Sequence, residues 1–456
     1  MWQPALRKNS KPIYEQLIDA LNNDVASGAL APGAQLPPQR DLAYRLKIGV
    51  GTVTKVYAEA RRRGLLTATV GRGSFVAGQN GSPVQSDAII DFSRNVSPFA
   101  PAAARLGDAL ATLRRRIDLA DHLGYAPPAG MPAHRQAGAK WLKSSVDFAD
   151  VDWQRLVVCG GGQHAMALAF ASLCKPGDTV MTEAATFFGM KSLADHLGLK
   201  LHGLKMDEQG LLPEALDRAA ASGAKVLYTL PTLQNPTGRV MSLKRRGEIA
   251  AVARKRDLTI VEDDIYGPFA RGDGGGPAIA ALAPERTFYI ASLSKMIAPG
   301  LRCGYLLTPD EHRFERVIKA VRAFSYAPAN FGPLIATQWI EDGTADAIAA
   351  EVKRDVAART QLAVRILGKA IEGPYVKAAP HIWLPMSELK AERVASAALR
   401  AGVAVTPASA PIVDSNEISG LRWCIGAPPN LATVERGLKI VAGALCDTPD
   451  AMAGVV

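Results

Sequence analysis

Lys295 is the residue whose type and setting point most directly to covalent chemistry. It closes Ser292-Leu293-Ser294-Lys295, directly after the apolar run TFYIA. A lysine amine attacks a carbonyl carbon once desolvation or a nearby charge lowers its pKa. A surface lysine after a strand is the plain alternative. Asp263 lies in Val261-Glu262-Asp263-Asp264-Ile265-Tyr266, at the end of another apolar run, with Asp264 as the competing carboxylate. Asn235 sits in Pro231-Thr232-Leu233-Gln234-Asn235-Pro236-Thr237-Gly238, 28 residues before Asp263. Taken alone, that loop is a common Asn-Pro-Gly turn. Gly160-Gly161-Gly162-Gln163-His164 precedes a stretch of Ala, Met and Leu. Backbone N–H groups at a helix start bind phosphate well. The seven histidines have no metal-ligand spacing, so no metal site is expected.

These residues need elements to hold them. From Asp91 onward, short runs (LVVCG, TVMTE, KVLYTL, LTIVEDD, TFYIASLS) alternate with Ala/Leu-rich helical stretches. Such alternation predicts an α/β sheet with mostly parallel strands. Gly160–Gly162, Glu183, the 231–238 loop, Asp263 and Lys295 all fall at run ends, where open α/β folds bind ligands. At 456 residues the chain exceeds one ordinary core, so two or more domains are expected. It contains no apolar run of about 18 residues. The N-terminus carries no continuous apolar stretch or small-residue cleavage site, so a cytoplasmic protein without a membrane partner is expected. Five scattered cysteines without C-x-x-C spacing predict reduced thiols.

The net charge of +10 is unevenly placed. Residues 1–80 hold eleven Lys/Arg against five Asp/Glu, so +6 of it sits there. A small basic unit on a nearly neutral body suggests a polyanion partner for the small unit. Ile13, Leu17, Ile18, Leu21 and Val25 recur at helical spacing and predict a helix ended by Gly28. A second helix is expected from Gln39 to Lys47. After the turn at 48–51, a third is expected from near Thr52 to Gly64. Two short strands, 65–70 and 74–76, follow around Gly71-Arg72-Gly73. The Gly, Ser and Pro content of residues 78–90 reads as a linker, with a reach of roughly 20 Å.

The pieces G-x-L-x-P-G-x-x-L-P-x-x-R (28–40), T-V-x-x-x-Y (52–57), R-G-L (63–65) and G-x-G-x-F-V (71–76) resemble the winged helix-turn-helix of GntR-type transcription regulators, over about residues 12–77. The resemblance implies binding to double-stranded operator DNA. The third helix would enter the major groove with Thr52, Thr54 and Lys55 facing bases or phosphates. It also implies DNA contacts from Arg40 at the start of the second helix and from the wing tip Gly71, Arg72 and Gly73. Arg61, Arg62 and Arg63 lie late in the third helix, where basic charge suits the helix dipole.

Residues 91–445 resemble fold-type I aminotransferases of class I/II, whose cofactor is pyridoxal 5'-phosphate (PLP). The pattern S-x-S-K-x-x-x-P-G-L-R-x-G-Y is matched from Ser292 to Tyr305. By that match Lys295 forms the Schiff base, and Ser292, Ser294 and Arg302 hold the phosphate. The D-x-x-Y spacing assigns the pyridine nitrogen to Asp263 and the phenolic oxygen to Tyr266. The P-x-x-x-N-P-T-G loop assigns Asn235 to that same oxygen. Gly161, Gly162 and Gln163 fall at the phosphate loop. This chain has Gly162 where the family often has Ser or Ala. Phe187, with Phe188 as competitor, falls at the ring-stacking position, and the usual Pro of that loop is Ala185 here. Tyr125 resembles the tyrosine that reaches the phosphate of a partner subunit. Arg422 resembles the arginine that clamps a substrate or effector carboxylate.

A GntR head (residues 1–77), a linker (78–90) and an aminotransferase-like body (91–456) resemble, in that order, the MocR-type regulators. The fold class implied is multi-domain: a winged helix plus an α/β PLP fold with a mostly parallel sheet and large and small subdomains. The resemblance implies a head-to-tail homodimer. It also implies that an amino acid or amine effector is sensed by transaldimination at Lys295. An active PLP-dependent aminotransferase carrying a DNA-binding head is the alternative.

Overall fold

The computed structural model describes residues 2–4, 12–31, 33–69, 73–77, 89–146, 148 and 151–446. These fall into two compact units, within 1–88 and within 89–456. The linker expected over 78–90 lies outside the described residues up to 88, and so do the wing-tip residues Gly71 and Arg72. Ile90, counted with the linker on composition, opens a strand of the second unit.

In the first unit, α1 (Ile13–Ala26), α2 (Gln39–Leu46) and α3 (Val50–Arg62) precede the antiparallel pair β1 (Leu66–Thr69) and β2 (Gly73–Val76). Leu17, Ile18 and Leu21 of α1 pack with Leu42, Val53, Val56 and Tyr57 in one small core. α3 begins two residues earlier than its sequence pattern suggests, because Gly49 serves as the N-cap and leaves Val50 and Gly51 in the first turn. Lys47 ends α2 in a left-handed conformation. The loop before α2 pairs with the wing: Val76 N donates to Ala34 O at 2.9 Å and Leu36 N to Ser74 O at 2.8 Å. Residues 33–36 and 73–76, from two separate sequence pieces, are therefore one structural feature.

The second unit is built on a seven-stranded sheet. In chain order its strands are interrupted by the short pair β3 (Ile90–Asp91) before them and the hairpin β7 (Met206–Asp207) and β8 (Gly210–Leu211) among them. The sheet strands are β4 (Leu156–Cys159), β5 (Thr179–Glu183), β6 (Lys200–Leu204), β9 (Val226–Thr229), β10 (Thr259–Asp263), β11 (Thr287–Ser292) and β12 (Gly304–Leu307). Their spatial order is β4-β12-β11-β10-β9-β5-β6. Only β12 runs against its neighbours. Every expected strand run is present, each nearly all buried, as strands covered on both faces should be.

Helices α4 (Ala100–Leu113), α5 (Pro132–Val146), α6 (Gly162–Leu173) and α7 (Phe188–His196) precede or cross between these strands. A second core lies beyond the sheet. There β13 (His381–Pro385) pairs antiparallel with β15 (Gly420–Cys424), and β14 (Val403–Ala404) pairs parallel with β3. Helices Thr344–Leu367, Glu388–Arg400 and Leu431–Cys446 supply its apolar faces. No described helix is long and apolar enough to cross a membrane.

Candidate functional site

The direction of the strands gathers the site. β4, β5, β9, β10 and β11 all end at one edge of the sheet. Because β12 runs the other way, its start lies at that same edge. Gly160–Gly162, Phe187, Asn235 and Lys295 follow strand ends, Asp263 and Ser292 are the last residues of β10 and β11, and Arg302 precedes the start of β12.

The glycine loop and Arg302 fit closely. Gly161 has φ +92°, and a Cβ there would lie 3.0 Å from Arg302 Nη2. Arg302 Nη2 donates to Gly160 O at 2.5 Å, and its own backbone is left-handed. Gly161 caps α6 without a side-chain hydrogen bond, so the first-turn N–H groups stay free of a side-chain cap. Ser292 Oγ and Ser294 Oγ are 3.0 Å apart beside this loop. His164 braces the glycine loop, since its Nδ1 accepts from Gly160 N at 3.0 Å.

Lys295 is partly buried, and lost solvation pulls its amine down to about 8. The amine donates to the carbonyl oxygen of Asn95. It lies 5.9 Å from the centre of the Tyr266 ring. Asp263 is buried; Tyr228 OH donates to its Oδ2 at 2.8 Å and Ile265 N to its Oδ1 at 3.4 Å. Burial pushes Asp263 up to about 6, which still leaves it ionised at neutral pH. Alternation along the strand turns Glu262 and Asp264 to the other face. There Tyr289 OH donates to Asp264 Oδ2 at 2.8 Å, and Glu262 accepts from Ile279 N at 2.9 Å and Ala280 N at 2.7 Å.

Asn235 and Arg422 meet directly. Arg422 Nη1 donates to Asn235 Oδ1 at 2.8 Å, while Nη2 donates to Ser93 O at 3.0 Å and Thr406 Oγ1 at 2.9 Å. Arg422 is buried, and its Nε has no partner among the described residues. The Arg422 guanidinium stands 5.6 Å from the Phe188 ring centre. The Phe187 ring and the Gln163 side chain both crowd Gly189, where a Cβ would lie 2.4 Å from each. Gln163 Nε2 donates to Gly189 O at 3.0 Å.

Two groups of residues had no sequence signal. Asn95, His381 and Tyr228 surround Tyr266 and Asp263. Ser93 and Thr406 hold Arg422. They come from β9, β13 and the loops after β3 and β14, and only the folded topology brings them together. Tyr125 is not brought to this cluster; it is 86% exposed and meets Tyr326 edge-on, ring centres 5.0 Å apart. In the first unit Arg40 and Lys55 are exposed and Thr52 is half-buried. Thr54 Oγ1 is engaged inside the unit, 2.8 Å from Gln39 Oε1 and 3.0 Å from Val50 O. Gly73 opens β2 opposite Thr69.

Residues 13–76 match the model of bacterial regulatory proteins of the gntR family, and residues 87–441 match that of aminotransferase class I and II. The chain is 30% identical over 456 residues to the uncharacterized HTH-type transcriptional regulator YdeF of Bacillus subtilis, covering 98% of this chain and 97% of that one. The chain belongs to the MocR-type subfamily of GntR transcription regulators. A further relative of this MocR-type chain is the HTH-type pyridoxine biosynthesis transcriptional regulator PdxR of Corynebacterium glutamicum, 26% identical over 324 residues, 69% of this chain and 70% of that one. Among solved structures, an archaeal alanine:glyoxylate aminotransferase shares the fold, with a TM-score of 0.71 at 23% identity over 87% of this chain and 95% of that one. The MocR-type regulator thus joins a GntR DNA-binding head to an aminotransferase-like body, and PLP is its cofactor.

Proposed function

We propose that this regulator binds operator DNA through its head and senses an amino acid or amine by transaldimination at Lys295. The observation that carries the reading is one cluster in the body, joined in one chain to a DNA-binding head. A depressed lysine amine, an ionised buried carboxylate, an arginine–glycine cradle and a buried arginine with a spare donor all meet at one sheet edge.

The residues suit the cofactor. Arg302, Ser292, Ser294 and the backbone of Gly161, Gly162 and Gln163 would hold the phosphate, because a guanidinium fork and uncapped N–H groups match its oxygens. Asp263 would keep the ring nitrogen protonated. Asn235 and Tyr266 would face the phenolic oxygen, and Phe187 the ring. When bound, PLP supplies an aldehyde that amines capture and a ring that withdraws electrons.

Lys295 gives up its place to the effector amine and, neutral at mildly basic pH, is able to move a proton. Arg422, through its spare Nε, orients an effector carboxylate. Tyr125 reaches the phosphate of a second copy in a head-to-tail homodimer. In the head, Arg40, Thr52, Thr54, Lys55 and the wing residues Gly71, Arg72 and Gly73 contact DNA, with the segment around 78–90 as tether to the body. The effector favours one arrangement of the two heads over another and so shifts DNA affinity.

The complete chemical set also favours a second reading, a working aminotransferase that carries a DNA-binding head. One experiment separates them. The visible band of the purified holo-protein is followed while amines and amino acids are added, with and without a keto acid. A compound that shifts the band and leaves it shifted supports a sensor. Steady keto acid consumption supports turnover. A band that no amino compound moves rules out both readings.

A further inference from the structure

Tyr266 is buried, and the only hydrogen bond to its hydroxyl among the described residues comes from Asn95 Nδ2, at 2.8 Å. The same nitrogen lies 3.2 Å from His381 Nδ1. His381 Nε2 lies 3.0 Å from Gln234 O, a carbonyl that can only accept, so Nε2 carries the hydrogen. Burial keeps the ring neutral, with its pKa down to about 3. A neutral ring with its hydrogen on Nε2 offers Nδ1 as an acceptor. The Asn95 atom facing it must then be the amide nitrogen, which fixes the direction of that amide. Its two hydrogens go to His381 and Tyr266. The Tyr266 oxygen therefore accepts from Asn95, and its own hydrogen points elsewhere.

We propose that Asn95 is a positioning residue: backed by His381 and Gln234, it makes Tyr266 a hydrogen-bond donor toward the phenolic oxygen of the bound cofactor. This rests on the reading above that Tyr266 faces that oxygen. A donor there stabilises the anionic oxygen and so lowers the pH at which the visible band titrates. The other charged or titratable groups around Tyr266 among the described residues are Lys295, Arg422, Asp263, Cys424 and Tyr228. All of them stay in place in the variants below.

The test is a pH titration of the visible band in holo-protein. Tyr266→Phe should raise the midpoint. Asn95→Ala should raise it by about half a unit to one unit, the size of one neutral hydrogen bond. In the Tyr266→Phe background, Asn95→Ala should add nothing, because the donor it orients is already gone. His381→Phe keeps an aromatic ring edge-on to Tyr266 but removes the acceptor for Asn95. It should shift the midpoint the same way, and it serves if Asn95→Ala does not retain cofactor. A midpoint unmoved by Tyr266→Phe overturns the reading of Tyr266 itself. A midpoint that Tyr266→Phe moves, but Asn95→Ala or His381→Phe leaves within about 0.2 unit, overturns the role of Asn95 alone. So does an Asn95→Ala shift that persists undiminished without the Tyr266 hydroxyl.

Discussion

At the scale of single residues, the state of Lys295 decides how the site loads. Its amine is brought down from 10.5 to about 8 chiefly by burial. For a cation, burial favours the neutral form, and the neutral form is the nucleophile. At pH 7 roughly a tenth of the amines are neutral, against roughly one in three thousand for a lysine at its ordinary value. Cofactor capture by the apo-protein should therefore quicken with pH up to about 8 and then level off. Stopped-flow absorbance after mixing with PLP checks this; a rate still climbing tenfold per unit at pH 10 would mean that the capturing amine is not depressed. Lys295→Ala should leave PLP exchangeable, with no covalent adduct after borohydride reduction and mass measurement.

At the scale of elements, the end of β10 is where packing matters most to chemistry. Three carboxylates in succession, Glu262, Asp263 and Asp264, are all buried. Arg246 sits behind them, with Nη1 3.9 Å from Glu262 and donors to Met241 O, Pro231 O and Thr232 Oγ1. It ties the 231–241 loop to the strand that carries Asp263. Glu262 is pushed up by burial and by Asp264, and drawn back by Arg246. Arg246→Ala should destabilise the body by about 3–5 kcal/mol, because it strips buried carboxylates of their counter-charge. Urea unfolding followed by tryptophan fluorescence reads this.

In the head, α3 projects Lys55 and α2 projects Arg40. Either one changed to Ala should weaken DNA binding across sequences and lower the salt slope by about one, as loss of a single phosphate contact does. Fluorescence anisotropy over a salt series measures it, and an unchanged slope removes that residue from the contacts.

The sequence carried much of this because strands buried on both faces read as apolar runs, and chemistry sits where such runs stop. Lys295, Asp263 and the Asn235 loop were legible for that reason. Asn95 and His381 were not. Each is a polar residue in or beside a short strand of the second core, and its meaning comes from a neighbour across the fold, His381 lying beside Asn95 after 286 residues of chain. The pattern also misplaces the start of α3 by two residues, since Gly49-Val50-Gly51 reads as a turn although it folds as cap and first turn.

At the scale of the whole molecule, the question is whether a site is finished by its own chain. Tyr125 is exposed, as are Leu110, Ile117, Leu123 and Tyr326 of the same unit. Exposed apolar groups mark a surface that another molecule covers where they form one contiguous patch, and of these Tyr125 and Tyr326 touch, with ring centres 5.0 Å apart. If that molecule is a second copy, light scattering should show a dimer, and Tyr125 should serve the partner's site. Subunit mixing isolates the point. Lys295→Ala lacks the amine but keeps Tyr125. Tyr125→Ala keeps the amine but lacks the tyrosine, and should release PLP more readily than the unchanged protein. In a mixed dimer the second subunit's Lys295 is joined by the first subunit's tyrosine, so one of the two sites regains both groups. Cofactor retention through gel filtration should then recover to about half that of the unchanged protein in the isolated mixed dimer, the share that one restored site in two allows, and to about a quarter in an unfractionated equimolar mixture. Were Tyr125 to act within its own chain, every site with the amine would still lack the tyrosine, and mixing would restore nothing.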